Sequence, residues 1–206
     1  MLRDEHGKDF RNVHFGKENI MALTESKMVG LGSPCPNFSL KGVDNKRYSL
    51  KDFAKSKALV VIFMANHCPY AQAMEDRIIQ LHRDYADKGV QVVGICANDP
   101  VAYPEDSFEN LARRWHEKEY GFPYLWDEKQ QVAKAFSAAC TPDFFAYDQK
   151  RTLQYRGRFD DNWKDSTKVT QRDLPDAIDA LLAGRKAPTE QLPSMGCSIK
   201  WKPEKQ

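Results

Sequence analysis

The amino-acid sequence predicts an α/β domain with a central mixed β-sheet flanked by helices. The apolar, β-branched runs Ala58 to Ala65 and Val90 to Ala97 suit strands buried on both faces. A stretch with helical spacing follows each run, as a parallel crossover needs. The later segments Phe144 to Tyr147 and Thr152 to Phe159 are joined only by a turn at Gln149-Lys150-Arg151, so they pair antiparallel.

Taken in order, Asn37 to Leu40 and Arg47 to Leu50 flank the turn Gly42-Val43-Asp44-Asn45 and predict a small N-terminal hairpin. Ser49 caps a short helix over Leu50 to Lys55, and the first central strand follows. From Pro69 onward, Ala71, Met74, Ile78, Leu81 and Tyr85 recur at helical spacing, and Gly89 ends that helix. Beyond the second central strand and a loop with Pro100 and Pro104, Phe108, Leu111, Ala112 and Trp115 mark a helix behind Ser107. Phe122 to Trp126 reads as a strand, and Glu128 to Ala138 as a helix leading into Thr141-Pro142. A final helix starts near Thr170, accepts Pro175 in its first turn, buries Leu174, Ile178, Leu181 and Leu182, and stops at Gly184. The domain is expected over residues 31–184. An extension at 1–30, poorly ordered at 1–20, precedes it, and a tail at 185–206 packs back on it through Ile199 and Trp201.

With 206 residues, 41% of them hydrophobic, the chain fills one sizeable core. Its formal net charge of +2 implies no strongly basic surface, so nucleic acid is not an expected partner. The longest apolar run, Ala58 to Ala65, is far short of the roughly 20 residues that span a bilayer, and no membrane association is expected. The first residues, with Arg3, Asp4, Glu5, Lys8 and Asp9, lack the apolar stretch of a secretory signal, which makes the cytoplasm the expected location. The 5 cysteines, Cys35, Cys68, Cys96, Cys140 and Cys197, are irregularly spaced and form no Cys-x-x-Cys pair. That pattern suits neither a disulfide-stapled fold nor a zinc site, and no metal or cofactor is expected.

Cys68 carries the chemistry. It stands where an apolar strand ends and a helix begins, with Pro69 at the first helical position, so it is the predicted N-cap. Backbone N–H groups and the positive helix end there stabilise a thiolate and can lower a cysteine pKa from about 8.5 to between ~3.5 and ~7.5. Strand C-termini in open α/β sheets are also where reacting groups collect.

The strand Val60-Val61-Ile62-Phe63-Met64-Ala65, the turn Cys68-Pro69-Tyr70-Ala71 and the later Thr141-Pro142 resemble the thioredoxin superfamily. Within it, Tyr155-Arg156-Gly157-Arg158-Phe159-Asp160-Asp161 and Gly196-Cys197-Ser198-Ile199-Lys200-Trp201 resemble the peroxiredoxin-like branch of alkyl hydroperoxide reductases and thiol-specific antioxidants. The resemblance implies a thioredoxin fold, a redox-active thiol at Cys68, and a cis-proline loop at Thr141-Pro142 facing it. Two departures stand out. The family's Pro-x-x-x-Thr/Ser-x-x-Cys pattern has Val61 and Ala65 here, so the peroxide-orienting hydroxyl is absent, and the second cysteine of a dithiol motif is replaced by Ala71.

If Cys68 faces that loop, Cys140 either resolves oxidised Cys68 as a disulfide or packs as a small apolar residue. Cys197 is offered the same two roles, with Ile199 and Trp201 favouring a tail glued down hydrophobically. Cys35 and Cys96 read as packing. Arg158, at the end of its strand, is the candidate cation for a developing oxyanion; it and Arg156 otherwise form a solvated face paired with Asp160 or Asp161. Thr141, Pro142 and Tyr70 are candidate substrate contacts, whereas Asn66 and His67 read as turn residues. The expected activity is thiol-based peroxide reduction with recycling by an external thiol such as thioredoxin or glutathione. A monothiol glutaredoxin-like thiol-disulfide exchanger and a non-catalytic binding or redox-sensing module are the alternatives.

Overall fold

The computed structural model describes residues 23–203; the extension expected at 1–20 lies outside the described residues. Ten strands and four α-helices are present among them, in the order β1 (Leu23–Glu25), β2 (Ser39–Gly42), β3 (Arg47–Ser49), β4 (Ala58–Phe63), α1 (Pro69–Tyr85), β5 (Val90–Cys96), α2 (Phe108–Glu117), β6 (Tyr124–Trp126), α3 (Gln131–Ala135), β7 (Cys140–Thr141), β8 (Asp143–Tyr147), β9 (Leu153–Gly157), α4 (Asp173–Leu182) and β10 (Met195–Ser198).

A 7-stranded sheet runs β3-β2-β6-β5-β4-β8-β9. Its centre is parallel, β4 with β5 and β5 with β6, because helical crossovers join those strands. β8 joins β4 antiparallel and continues into the β8–β9 hairpin, which gives the mixed sheet. All of β4 is buried, and its alternation divides the core into two layers. Val60 and Ile62 pack with Met74, Ile78 and Leu81 of α1 and Leu174 and Ile178 of α4. Leu59, Val61 and Phe63 meet Phe38, Phe53, Phe136 and Phe145 on the other face.

The expected elements are present with shifted ends. The helix expected over Glu128 to Ala138 is only Gln131–Ala135, because Gln130 and Ser137 adopt left-handed backbone angles, φ 60° and 53°, on either side of it. The last helix begins at Asp173 rather than Thr170, whose N–H donates to Asp161 Oδ1 at 2.9 Å in the preceding loop. Gly184, at φ 69°, follows its end.

A second sheet was not expected: β1, β10 and β7 form 3 antiparallel strands. The tail is therefore held by backbone pairing as well as by side chains, with Cys197 opposite Thr141 and Ser198 opposite Cys140. Gly196 permits this approach, since a Cβ at that position would lie 2.0 Å from the Thr141 carbonyl oxygen. Among the described residues no helix is long and apolar enough to cross a membrane.

Candidate active site

Cys68 is the N-cap of α1, in extended backbone, with Pro69 starting the helix. Its sulfur is fully buried in a small cluster with Ala65, Ala71 and Cys197, against which Tyr70 packs. The Sγ atoms of Cys68 and Cys197 are 2.9 Å apart, and both cysteines are free thiols. In its thiol form Cys68 also donates to the Thr141 carbonyl oxygen at 3.0 Å. The Thr141–Pro142 peptide is cis, as the resemblance implies.

The two sulfurs have opposite acidities. Burial pushes the Cys68 thiol up, but the neighbouring Cys197 thiol and Thr141, with the backbone N–H groups of Ala71 and Cys197, outweigh it and bring the pKa down to about 6. Cys197 is raised, first because it donates to Cys68 and then because it is buried. The directions of the two shifts make Cys68 the sulfur of the pair that gives up its proton more readily and Cys197 the one that retains it. Burial raises Cys35 to about 12 and holds Cys96 and Cys140 well above the ordinary thiol range. Of the cysteines, Cys68 is the one whose thiol is shifted downward.

Cys140 does not take the place beside Cys68. Its Sγ faces the carbonyl oxygens of Pro142 at 3.6 Å and Ser194 at 3.9 Å, and Cys197 occupies the neighbouring position instead. Cys197 is buried, because β10 lies between β1 and β7.

The two arginines differ from the solvated pair expected. Arg156 is fully buried, 3.2 Å from Asp143 and over the Phe145 ring, while burial raises Asp143 to about 6 against the opposing charge of Arg156. Arg158 turns to Asp173 at 2.9 Å and Gln171 at 2.8 Å, so its guanidinium is engaged away from the sulfurs. It nevertheless lines a cavity of about 90 Å³ with Met74, Pro142, Phe159 and Met195. Trp163 lines the same cavity and lies 4.4 Å, centroid to centroid, from the Tyr70 ring. Thr141, Pro142 and Tyr70 thus surround the sulfurs or the adjoining cavity.

His67 is more than a turn residue. Its Nδ1 is 2.5 Å from Asp106 Oδ2, and its ring packs on Tyr103 at 4.4 Å. Asp106, in the loop before α2, also accepts the N–H groups of Asn66 and His67. Nothing in the local sequence signals Asp106, which is 40 residues from Asn66. Gly196 beside Cys197 was the available hint that the tail comes close to another backbone. Among the described residues no cluster of three or more His, Cys, Asp or Glu side chains is placed to hold a metal ion.

The mixed sheet, the helix-capping cysteine and the facing cis-proline loop define a thioredoxin-fold protein. Residues 31–156 match the AhpC/TSA family, and the chain belongs to that family. It is similar to an uncharacterized conserved protein from Geobacillus kaustophilus, 45% identical with a TM-score of 0.86, covering 90% of this chain and 99% of that one. A hypothetical protein from Sinorhizobium meliloti 1021 is 43% identical with a TM-score of 0.84, covering 87% and 98%. The thiol-disulfide oxidoreductase ResA from Bacillus thuringiensis subsp. konkukian is 23% identical over 127 residues, 62% of this chain and 69% of that protein.

Proposed function

We propose that this chain is a thiol-based oxidoreductase in which Cys68 is the attacking nucleophile and Cys197 the resolving thiol. The observation that carries the reading is the 2.9 Å separation of a thiolate-forming sulfur and a protonated one. With a disulfide substrate, the Cys68 thiolate attacks one sulfur, forms a mixed disulfide and expels the other sulfur as a thiolate. Cys197 then gives up its proton and attacks Cys68, expelling the second substrate thiolate and leaving a Cys68–Cys197 disulfide. An external thiol such as thioredoxin or glutathione, available in the cytoplasm, reduces that disulfide and closes the cycle.

Thiol-disulfide exchange is favoured by Ala65, which offers no hydroxyl to orient a peroxide, and by Arg158, whose guanidinium is committed to Asp173. The ResA likeness points the same way. Peroxide reduction is the second reading, supported by the family match and by the full burial of Cys68, which disfavours bulky oxidants. In it, Cys68 attacks a peroxide oxygen, becomes a sulfenic acid and releases an alkoxide; condensation with Cys197 then forms the disulfide and expels water.

Stopped-flow oxidation of the reduced protein by glutathione disulfide and by hydrogen peroxide separates these readings. The expected result is an internal disulfide formed faster with glutathione disulfide and abolished by Cys68→Ser. A faster peroxide reaction with a trappable sulfenic acid reverses the preference. Rates no higher than that of free glutathione with both oxidants contradict turnover and leave a binding or sensing module.

A further inference from the structure

The two reacting sulfurs sit on segments far apart in sequence, and one buried carboxyl group connects to both. Asp106 is fully buried and is contacted by four donors. Its Oδ1 accepts the backbone N–H groups of Asn66 at 2.6 Å and His67 at 3.3 Å, which immediately precede Cys68. Its Oδ2 accepts from His67 Nδ1 at 2.5 Å and from Asn98 Nδ2 at 2.8 Å. The other end of the Asn98 amide, Oδ1, accepts the backbone N–H of Lys200 at 2.8 Å, just beyond β10 and Cys197.

The path from one sulfur to the other therefore runs through the loop before Cys68, Asp106, Asn98 and the tail. Neighbouring contacts brace it. Asn66 Nδ2 donates to the carbonyl oxygens of Glu105 and Asn110 at 3.0 and 3.1 Å, and the Lys200 ammonium lies 5.3 Å from the Tyr103 ring that stacks on His67. A single charged acceptor shared among several donors in a dry interior fixes geometry more tightly than separate surface contacts do. Disulfide formation has narrow geometric demands, so the register of the two segments governs how readily the sulfurs join.

We propose that Asp106 is a positioning residue for the thiol chemistry, holding the Cys68 loop and, through Asn98, the Cys197 tail at reacting distance. The proposal rests on the Cys68–Cys197 reading and adds the residue that sets their geometry. Asp106 acts through other groups, because its hydrogen bonds go to the loop and the amide relay and none reaches a sulfur.

The test uses the full chain, with Asp106→Asn and Asn98→Ala beside wild type. The equilibrium between dithiol and internal disulfide is measured in glutathione redox buffers, and the Cys68 thiolate is titrated by its absorbance near 240 nm. Asp106→Asn is expected to lower the effective concentration of Cys197 at Cys68 at least tenfold. It is also expected to raise the thiolate midpoint by about one pH unit, a tenfold change in acid constant, as hydrogen bonds from the tail are lost. Asn98→Ala, which breaks only the tail arm, should show a smaller loss of about threefold on the same scale as the tenfold unit. A residue that merely supports the fold would lower the melting temperature and leave both readouts in place.

Folded variants with both readouts within twofold of wild type overturn the proposal. Absence of a wild-type Cys68–Cys197 disulfide overturns the oxidoreductase reading instead, and the thiolate titration then decides on Asp106 alone. If Asp106→Asn does not fold, Asn98→Ala decides: a weakened sulfur pair supports the proposal, and an unchanged one overturns it.

Discussion

In the 7-stranded sheet, β4 buries side chains on both faces and is gripped by helices on one side and aromatic rings on the other. The 3-stranded sheet of β1, β10 and β7 is held differently, by a few backbone hydrogen bonds and one close approach at Gly196. The larger sheet places Cys68 at a helix start; the smaller one delivers Cys197 to it. The buried core thus resides mainly in the larger sheet and the placement of Cys197 in the smaller one, and substitutions should separate the two.

The largest expected effect is on stability. Ile62→Ala removes a fully buried side chain between α1 and α4 and should cost about 2–5 kcal/mol in chemical denaturation, while the thiolate midpoint of the folded protein stays near that of wild type. A matching change in the thiolate would show that the two sheets are not separable.

The next effect is proton linkage. Folding depresses the Cys68 pKa from 9.0 to about 6, so its contribution is fully present above the unfolded value and is lost as pH falls through about 6. Between these values the unfolded chain binds the extra proton, and stability of the reduced protein should rise by on the order of 4 kcal/mol relative to Cys68→Ser. Asp143 has the opposite sign, raised to about 6, so its contribution is lost below this window as pH rises. Denaturant midpoints at several pH values check the slope; parallel curves for the two proteins would remove the thiolate from the account.

The smallest effect sharpens the contrast in the other direction. Gly196→Ala places a Cβ against the Thr141 backbone and should release β10 from β7, slowing internal disulfide formation at least tenfold, or ~1.4 kcal/mol, with the larger sheet intact by circular dichroism. An unchanged rate would mean that Cys197 reaches Cys68 without that pairing.

The same division explains what was legible in the sequence. The central strands announce themselves by continuous apolar runs and α1 by its helical spacing and Pro69, because burial on two faces or on one helical stripe leaves a local pattern. The strands of the smaller sheet, Leu23–Glu25, Cys140–Thr141 and Met195–Ser198, are too short to show alternation, and their partners are distant in sequence. Cys68 was readable from its position between strand and proline. The adjacency of Cys197 was not, since it depends on backbone pairing with Thr141. His67 read as a turn residue because its partner Asp106 lies 39 residues away, and Arg156 read as solvated because the carboxyl that pairs with it, Asp143, belongs to the neighbouring strand.

The most direct test is a disulfide map. Reduced wild type and Cys140→Ser are oxidised with one equivalent of diamide, digested at acidic pH and examined by mass spectrometry. A Cys68–Cys197 cross-link in both proteins is the expected result. A Cys68–Cys140 cross-link in wild type, or no internal cross-link from Cys68 in either protein, would contradict the pairing on which the proposed chemistry depends.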